Sequence, residues 1–251
     1  MKNIKSALLA AAAGLAVVGG AQAATVNIGF APGVLHNASA ISGTEVSSAA
    51  MRGMAVTMCF FGFTACETAT WGEGAIAAAG GNFAGGNGWQ FEGAPLDSFQ
   101  DPFRVSVAGR LLQSFTLYGL NALTVFDTVL DPNFGTTSAT PNSSPGSGNG
   151  RPFTVASGDT NVDTLSVRYF DKVFVDGTDY NDLYLGMQVS FNMATGFNGF
   201  SGALRFTADT DRVITGGTLV PFAPTNPVPL PGTLALVGAG LLGLRLTQRR
   251  S

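Results

Sequence analysis

Charge is scarce in this chain, and histidine, lysine and cysteine are scarcer still. Only 12% of the 251 residues are Asp, Glu, Lys or Arg. Glu and Lys, which usually cover the surface of helices, are few, whereas Gly, Ser, Thr and Asn are abundant, so strands and turns are favoured over helices. His36, in "GVLHNAS", is the only histidine. It leaves no His cluster for a metal and reads as a solvated loop residue. Two cysteines, without a second Cys pair or a His pair, exclude a zinc site. There is no Gly-x-Ser-x-Gly elbow and no Walker loop. The run Gly146-Ser147-Gly148-Asn149-Gly150 lacks the strand and helix that a nucleotide loop needs.

What the chain does have begins with its ends. Each carries an apolar run with a basic flank, in opposite order. Lys2 and Lys5 precede an apolar stretch at 7–18, and Ala21-Gln22-Ala23 offers a small-residue cleavage site before Ala24. These are the three parts of a secretory signal peptide. Residues 1–23 are therefore predicted to form a signal-peptide helix, and the mature chain to begin at Ala24. Of the thirteen basic residues, Lys2, Lys5, Arg245, Arg249 and Arg250 lie in the two ends, which leaves eight against sixteen acids and a body charge of 8 − 16 = −8. Such a body repels phosphate backbones, so nucleic acid is not an expected partner. The charge suits a soluble exported domain, or one that takes up Ca²⁺ through oxygen ligands.

Residues 24–220 are long enough for one sizeable core. Period-two alternation recurs through them. In "DLYLGMQVSF", Leu183, Leu185, Met187, Val189 and Phe191 alternate with Tyr184, Gly186, Gln188 and Ser190. A sheet with one buried face produces this pattern. "TLSVRYF" and "GFSGALRFTA" repeat it, and "NMATGFNG" reads as a hairpin loop joining "DLYLGMQVSF" to "GFSGALRFTA". "TVNIGF", "FRVSV", "LLQSFTLYGL" and "ALTVFDTVL" read as further strands. "MAVTMCFFGFTACETATW" reads as a hairpin turning at Gly62, with Cys59 facing Cys66. Export makes a disulfide between them the expected state. Closing so short a loop stabilises by roughly 2–3 kcal/mol. "GGNFAGGNG" and the Gly/Ser/Thr/Pro/Asn-rich 135–152 read as surface loops. The predicted fold class is all-β, a jelly-roll-like β-sandwich between an N-terminal signal helix and a separate C-terminal membrane helix.

The tail begins with Pro221, Pro224, Pro227, Pro229 and Pro231, a polyproline-type spacer over 221–231 that extends at about 3.1 Å per residue. An uncharged apolar run at 232–244 follows, then Arg245, Arg249 and Arg250. Residues 232–251 are predicted to form a membrane helix with a basic cytoplasmic end, holding the body outside the cytoplasm. "VPLPGTLALVGAGLLGLRLTQRR" resembles the PEP-CTERM sorting signal of Gram-negative bacteria in its Pro-x-Pro motif, its Leu/Gly/Ala-rich helix and its terminal arginines. Leu230, between Pro229 and Pro231, replaces the Glu that gives the signal its name. The resemblance implies recognition by an exosortase-type transpeptidase, removal of the tail, and association with exopolysaccharide or biofilm matrix at the cell surface. "GMAVTMCF", "ETATWGEG", "GNGWQF", "DPFRV" and "LTVFDT" occur in an order similar to that in uncharacterised exported domains with such tails, which implies no activity.

Within the body, "DGTDYNDL" gathers Asp176, Asp179, Asn181 and Asp182 around Gly177. This is a candidate Ca²⁺ loop, since Ca²⁺ takes about six to eight oxygens. The alternative is an Asx-rich turn before the next strand. Asp209 and Asp211 form a similar pair. Trp71, Trp89 and Tyr184 are either a sugar-stacking face or core aromatics. No pair of carboxylates stands out for hydrolysis. The expected function is a non-enzymatic envelope or matrix protein without a cofactor, with a Ca²⁺-dependent carbohydrate-binding module as the alternative and a secreted polysaccharide hydrolase behind it.

Overall fold

The computed structural model describes residues 25–41, 46–95, 98, 100–128, 150–156, 164–180, 182–192, 199–214 and 216–222. The signal peptide with Ala21, Ala23 and Ala24 lies outside the described residues. So do Asn181 and the tail with Pro229, Leu230, Pro231, Arg245, Arg249 and Arg250.

The described chain is all-β, as its composition predicts. Its strands in chain order are β1 (Thr25–Ala31), β2 (His36–Ala38), β3 (Ala55–Phe60), β4 (Glu67–Thr70), β5 (Ile76–Asn82), β6 (Asn87–Glu92), β7 (Phe103–Tyr118), β8 (Thr124–Asp127), β9 (Thr154–Val155), β10 (Thr164–Val175), β11 (Leu183–Asn192), β12 (Phe200–Thr207), β13 (Thr210–Arg212) and β14 (Leu219–Pro221). Two short 3-10 turns, Ser48–Met51 and Leu120–Ala122, are the helical segments among the described residues. None is long and apolar enough to cross a membrane.

All the strands join one curled sheet, and β7 is its spine. The first half of β7 pairs with β6 and β12, the second with β3 and β11. The stretches "FRVSV" and "LLQSFTLYGL" are thus one strand rather than two. The bend lies at the residues that sequence periodicity left between them. Val107 pairs with Gly202 and Leu112 with Phe200, so β7 takes five steps where β12 takes two. Gly109 sits in this bulge at φ +68, and a Cβ there would come within 2.3 Å of the Gly86 carbonyl oxygen. Only glycine allows both the left-handed backbone and the close approach.

The bend folds the sheet so that its two halves face each other. Phe115 from the second half of β7 meets Phe91 of β6 and Phe206 of β12, at ring-centroid distances of 5.6 and 5.5 Å. Phe206 also stacks on Phe103 and Phe153. Aromatic pairs at these separations contribute beyond their area burial, about 0.5–1.5 kcal/mol each. This cluster holds the curl closed.

The same curl corrects three readings of the sequence. β11 and β12 do not form a hairpin, because each pairs with a different half of β7. "GGNFAGGNG" is not a free loop. It spans the β5–β6 hairpin and its turn. The apolar residues of β11 do not share one core. Met187, Val189 and Phe191 enter the main cluster, while Leu183 and Leu185 enter a second one with Val173, Val175, Val125 and Val213. Asp171 takes a left-handed conformation at φ 59. Beyond it β10 changes clusters too, from Tyr169 to Val173.

The sheet also continues past its expected end. Pro221, the first proline of the spacer, pairs with His36, and the Phe222 amide donates to the Leu35 carbonyl at 2.7 Å. Proline is tolerated there because β14 is an edge strand. Likewise, Pro152 at the end of the expected 135–152 loop is buried.

Candidate functional site

The outer face of the half formed by β4, β3, β7, β11, β10 and β1 carries the best candidate site. Register sets what stands beside what. One row runs Gly29, Arg168, Gln188, Thr116, Thr57 and Thr68 across six strands. A second runs Asn27, Ser166, Ser190, Ser114 and Cys59. A third runs Ala31, Phe170, Gly186, Tyr118, Ala55 and Thr70. The alternate residues of these strands, among them Val56, Met58, Phe115, Val167 and Val189, are buried in the core. Period-two geometry therefore puts the rows on the opposite side from the main core, where Arg168, Thr68 and Thr70 are exposed, Ser114 and Gly186 are buried, and Tyr118 packs half-buried against the second cluster. At 4.7–4.9 Å per strand, the six-residue row spans roughly 24 Å.

The face is rich in hydroxyls and poor in charge. Arg168 is the one charged residue in the three rows, and none of the chain's sixteen acids lies in them. Arg168 is exposed, and among the described residues it is in no ion pair. Thr57 and Thr68 share a hydrogen bond at 2.9 Å between their Oγ1 atoms.

Beside the polar row lies an aromatic platform. The rings of Phe170 and Tyr118 are within 5° of parallel, with centroids 5.9 Å apart. They flank Gly186, where a Cβ would fall 2.2 Å from Phe170 Cζ. A side chain there would lift the ring off the sheet. Asp171 fixes the platform. Its Oδ2 accepts the Tyr118 hydroxyl at 2.9 Å, and its Oδ1 accepts the Val34 amide at 2.9 Å. Burial, then the bond to Asp171 and its charge, push the Tyr118 phenol up to about 12, so it is a proton donor at neutral pH.

The residues singled out from the sequence fall elsewhere. Trp71 and Trp89 are wholly buried, and Tyr184 nearly so, so they are core aromatics. The Trp71 indole N–H donates to the Ser48 carbonyl, and that of Trp89 to Glu67 Oε2 at 2.7 Å. Glu67 also pairs with Arg110, whose hydrogen bond is the main reason its carboxyl is held below the usual range. Burial pushes the Tyr184 phenol up to about 12, with Asp179 and Asp182 adding to the rise. His36 is not a solvated loop residue. It lies in β2, 4% exposed, and neither ring nitrogen has a hydrogen-bond partner among the described residues. Burial lowers its pKa, partly offset by Asp171.

The acidic loop is a tight turn. Asp176 is left-handed at φ 49, Gly177 donates its amide to Asn37 Oδ1 at 2.8 Å, and Lys172 holds Asp179 at 2.7 Å. Asp182 is buried away from these, at the junction of β8, β11 and β13. There it joins Asp127, Asp209 and Asp211, also buried. The Asp127 amide donates to the Asp209 carbonyl at 3.1 Å, and Thr128 donates twice to the Asp182 carbonyl at 2.9 Å. All four aspartates make further interactions. Among the described residues no three or more His, Cys, Asp or Glu side chains converge as metal ligands. Cys59 and Cys66 are bridged, with Cα atoms 4.3 Å apart. The bridge sits at the edge of the outer face and closes the β3–β4 hairpin.

Reading the sequence did not single out Arg168, Gln188, Phe170, Tyr118 or Asp127. The available signal was the polar half of each alternation, in "TLSVRYF" and "DLYLGMQVSF", taken as a possible surface rather than as filler.

Fold and site define an all-β chain with one curled sheet and a hydroxyl-lined outer face. No family model, curated protein or solved structure matches it.

Proposed function

We propose that this chain is a non-enzymatic, exported cell-envelope or matrix protein, sorted by its PEP-CTERM-like tail, that meets exopolysaccharide through the outer face of its curled sheet. In this reading the sheet serves as a jelly-roll-like β-sandwich scaffold. The signal at 1–23 starts export. The helix at 232–251 anchors the body outside the inner membrane until an exosortase-type transpeptidase acts at the Pro229–Pro231 motif. The body then reaches the cell surface or matrix. The observation that carries the reading is the outer face itself: three registered rows rich in hydroxyl groups, with one cation and no acid, on a body whose charge is otherwise strongly negative.

The ends of the described chain support the tethering. Thr25 pairs with Thr164 at one end of β10, whereas β14 joins β2 beside Val173–Val175 at the other. Eleven strand steps separate the two, roughly 36 Å. In this reading the tail that follows Phe222 tethers the body by that end.

The test is fractionation in an exosortase-bearing host. The full chain should pass from the membrane to the matrix fraction and sediment with isolated exopolysaccharide. Deleting 229–251 should release a cooperatively melting body into the soluble periplasm. A truncated body without a cooperative transition would make the tail part of the core and defeat the sorting reading. A full chain that never enters the matrix fraction would defeat the matrix role.

A further inference from the structure

Resting on that reading, we infer that the outer face is a binding site for an uncharged polysaccharide chain, with Phe170 and Tyr118 as its stacking subsite and Arg168 and Gln188 as its polar clamp. A sugar ring presents two kinds of surface: a C–H face that packs on aromatic rings and an equator of hydroxyls that both donate and accept. The outer face offers a partner for each. Phe170 and Tyr118 lie within 5° of parallel, both half-buried, and the missing side chain of Gly186 between them makes room for the Phe170 ring. One row away, Arg168 stands directly opposite Gln188, with Thr116 next in register. The guanidinium supplies five donors in a fixed fork, the amide supplies donors and an acceptor, and the threonine supplies both.

Electrostatics selects among sugars. The body carries −8, the three rows hold a single cation, and the Asp171 carboxylate stands at the Tyr118 hydroxyl. A long polyanion would be repelled by the body as a whole and would find one counter-charge on the face. A neutral chain meets neither penalty. The site is also prebuilt: Asp171 holds the Tyr118 hydroxyl by a hydrogen bond, so stacking requires little new ordering.

Affinity electrophoresis tests this, with the mature body run through gels containing dextran, hydroxyethylcellulose or galactomannan, and alginate as the acidic comparator. The wild type should be retarded by at least one neutral polymer, with little change on adding salt. Arg168→Ala and Phe170→Ala should each weaken retardation about tenfold, the effect of losing one hydrogen bond or one stacking contact of ordinary strength. Arg52→Ala, at an exposed ion pair outside the three rows, should leave it unchanged. Arg168 is exposed, so its variant should report binding without disturbing the core, and circular dichroism melts check the folding of each variant. Three results would overturn the inference: no retardation by any neutral polymer, retardation by alginate alone, or retardation indifferent to both variants. Sedimentation showing that the face instead pairs two copies would do so as well. Failure here is separable from failure of the matrix role. If wild type and variants alike sediment with native matrix, the matrix reading stands and this face is not its site. If neutral polymers bind but native matrix does not, the site stands and the matrix role falls.

Discussion

Replacing Asp171 removes the support of the aromatic platform, and its cost can be worked from the geometry. The carboxylate accepts two hydrogen bonds at 2.9 Å, from the Val34 amide and the Tyr118 hydroxyl. Hydrogen bonds to a charged group contribute about 1.5–3 kcal/mol each, and partial exposure puts these near the lower limit. The backbone at φ 59 adds a second term. Asp tolerates this left-handed conformation better than Ala, by roughly 1 kcal/mol. Asp171→Ala should therefore destabilise by about 4 kcal/mol. For a body of this size that is a melting-temperature drop of roughly 8–16 °C. Asp171→Asn keeps the backbone preference and one acceptor, and should lose about half as much. Tyr118→Phe should cost about 1–1.5 kcal/mol alone and little more in the Asp171→Asn background, so a double-mutant cycle should show coupling. An alkaline absorbance titration gives an independent readout. The Tyr118 phenol is pushed up to about 12 in the folded protein. Its folded value exceeds its unfolded one near 10, so the stability it contributes is present below pH 10 and disappears as pH rises through 12. Without Asp171 the phenol should titrate earlier. An Asp171→Ala protein melting within 2 °C of wild type, or an Asn variant no better than Ala with no coupling to Tyr118, would refute this account.

Three further outcomes are expected. Reducing Cys59–Cys66, or replacing both with Ser, should lower urea stability by roughly 2–3 kcal/mol through the eight-residue loop it closes; unchanged midpoints with and without reductant would contradict that. His36 is held below its usual pKa of 6.5 by burial, so its contribution to stability is full above that pH and lost as pH falls through the depressed value. Melting temperature should accordingly fall between pH 7.5 and 5.5 in the wild type and stay flatter in His36→Leu, and parallel profiles would exclude the histidine as the cause. Millimolar Ca²⁺ should leave the melting curve unmoved, because Lys172 already holds Asp179 and Asp182 is buried elsewhere; a rise abolished by Asp179→Ala would show that the turn binds the ion.

Much of the fold is local and therefore readable along the chain. Period-two alternation in "TLSVRYF" and "DLYLGMQVSF" marks strands because successive side chains of a strand must point to opposite faces. The β3–β4 hairpin and its disulfide follow from eight consecutive residues, with Gly62 at φ +79 supplying the turn. Scarcity of Glu and Lys points away from helices for equally local reasons. The reading of the two chain ends as export and sorting signals rests on sequence alone.

What only the tertiary structure decides is register and the path of β7. A one-residue slip moves every side chain of a strand to the other face, and nothing within a strand says which residue of a distant strand will stand beside it. Arg168, Gln188, Thr116 and Thr57 become neighbours only because four strands dispersed along the chain align in one register. Tyr118 and Asp171 lie 53 residues apart and meet for the same reason. The bulge at Gly109 turns two apparent strands into one and separates β11 from β12, which sequence adjacency suggests as a hairpin. His36 lies in a strand between β10 and β14 rather than in a loop, a pairing that its own neighbours in sequence do not encode. These features depend on which apolar faces find each other when the sheet curls, a property of the whole chain rather than of any segment.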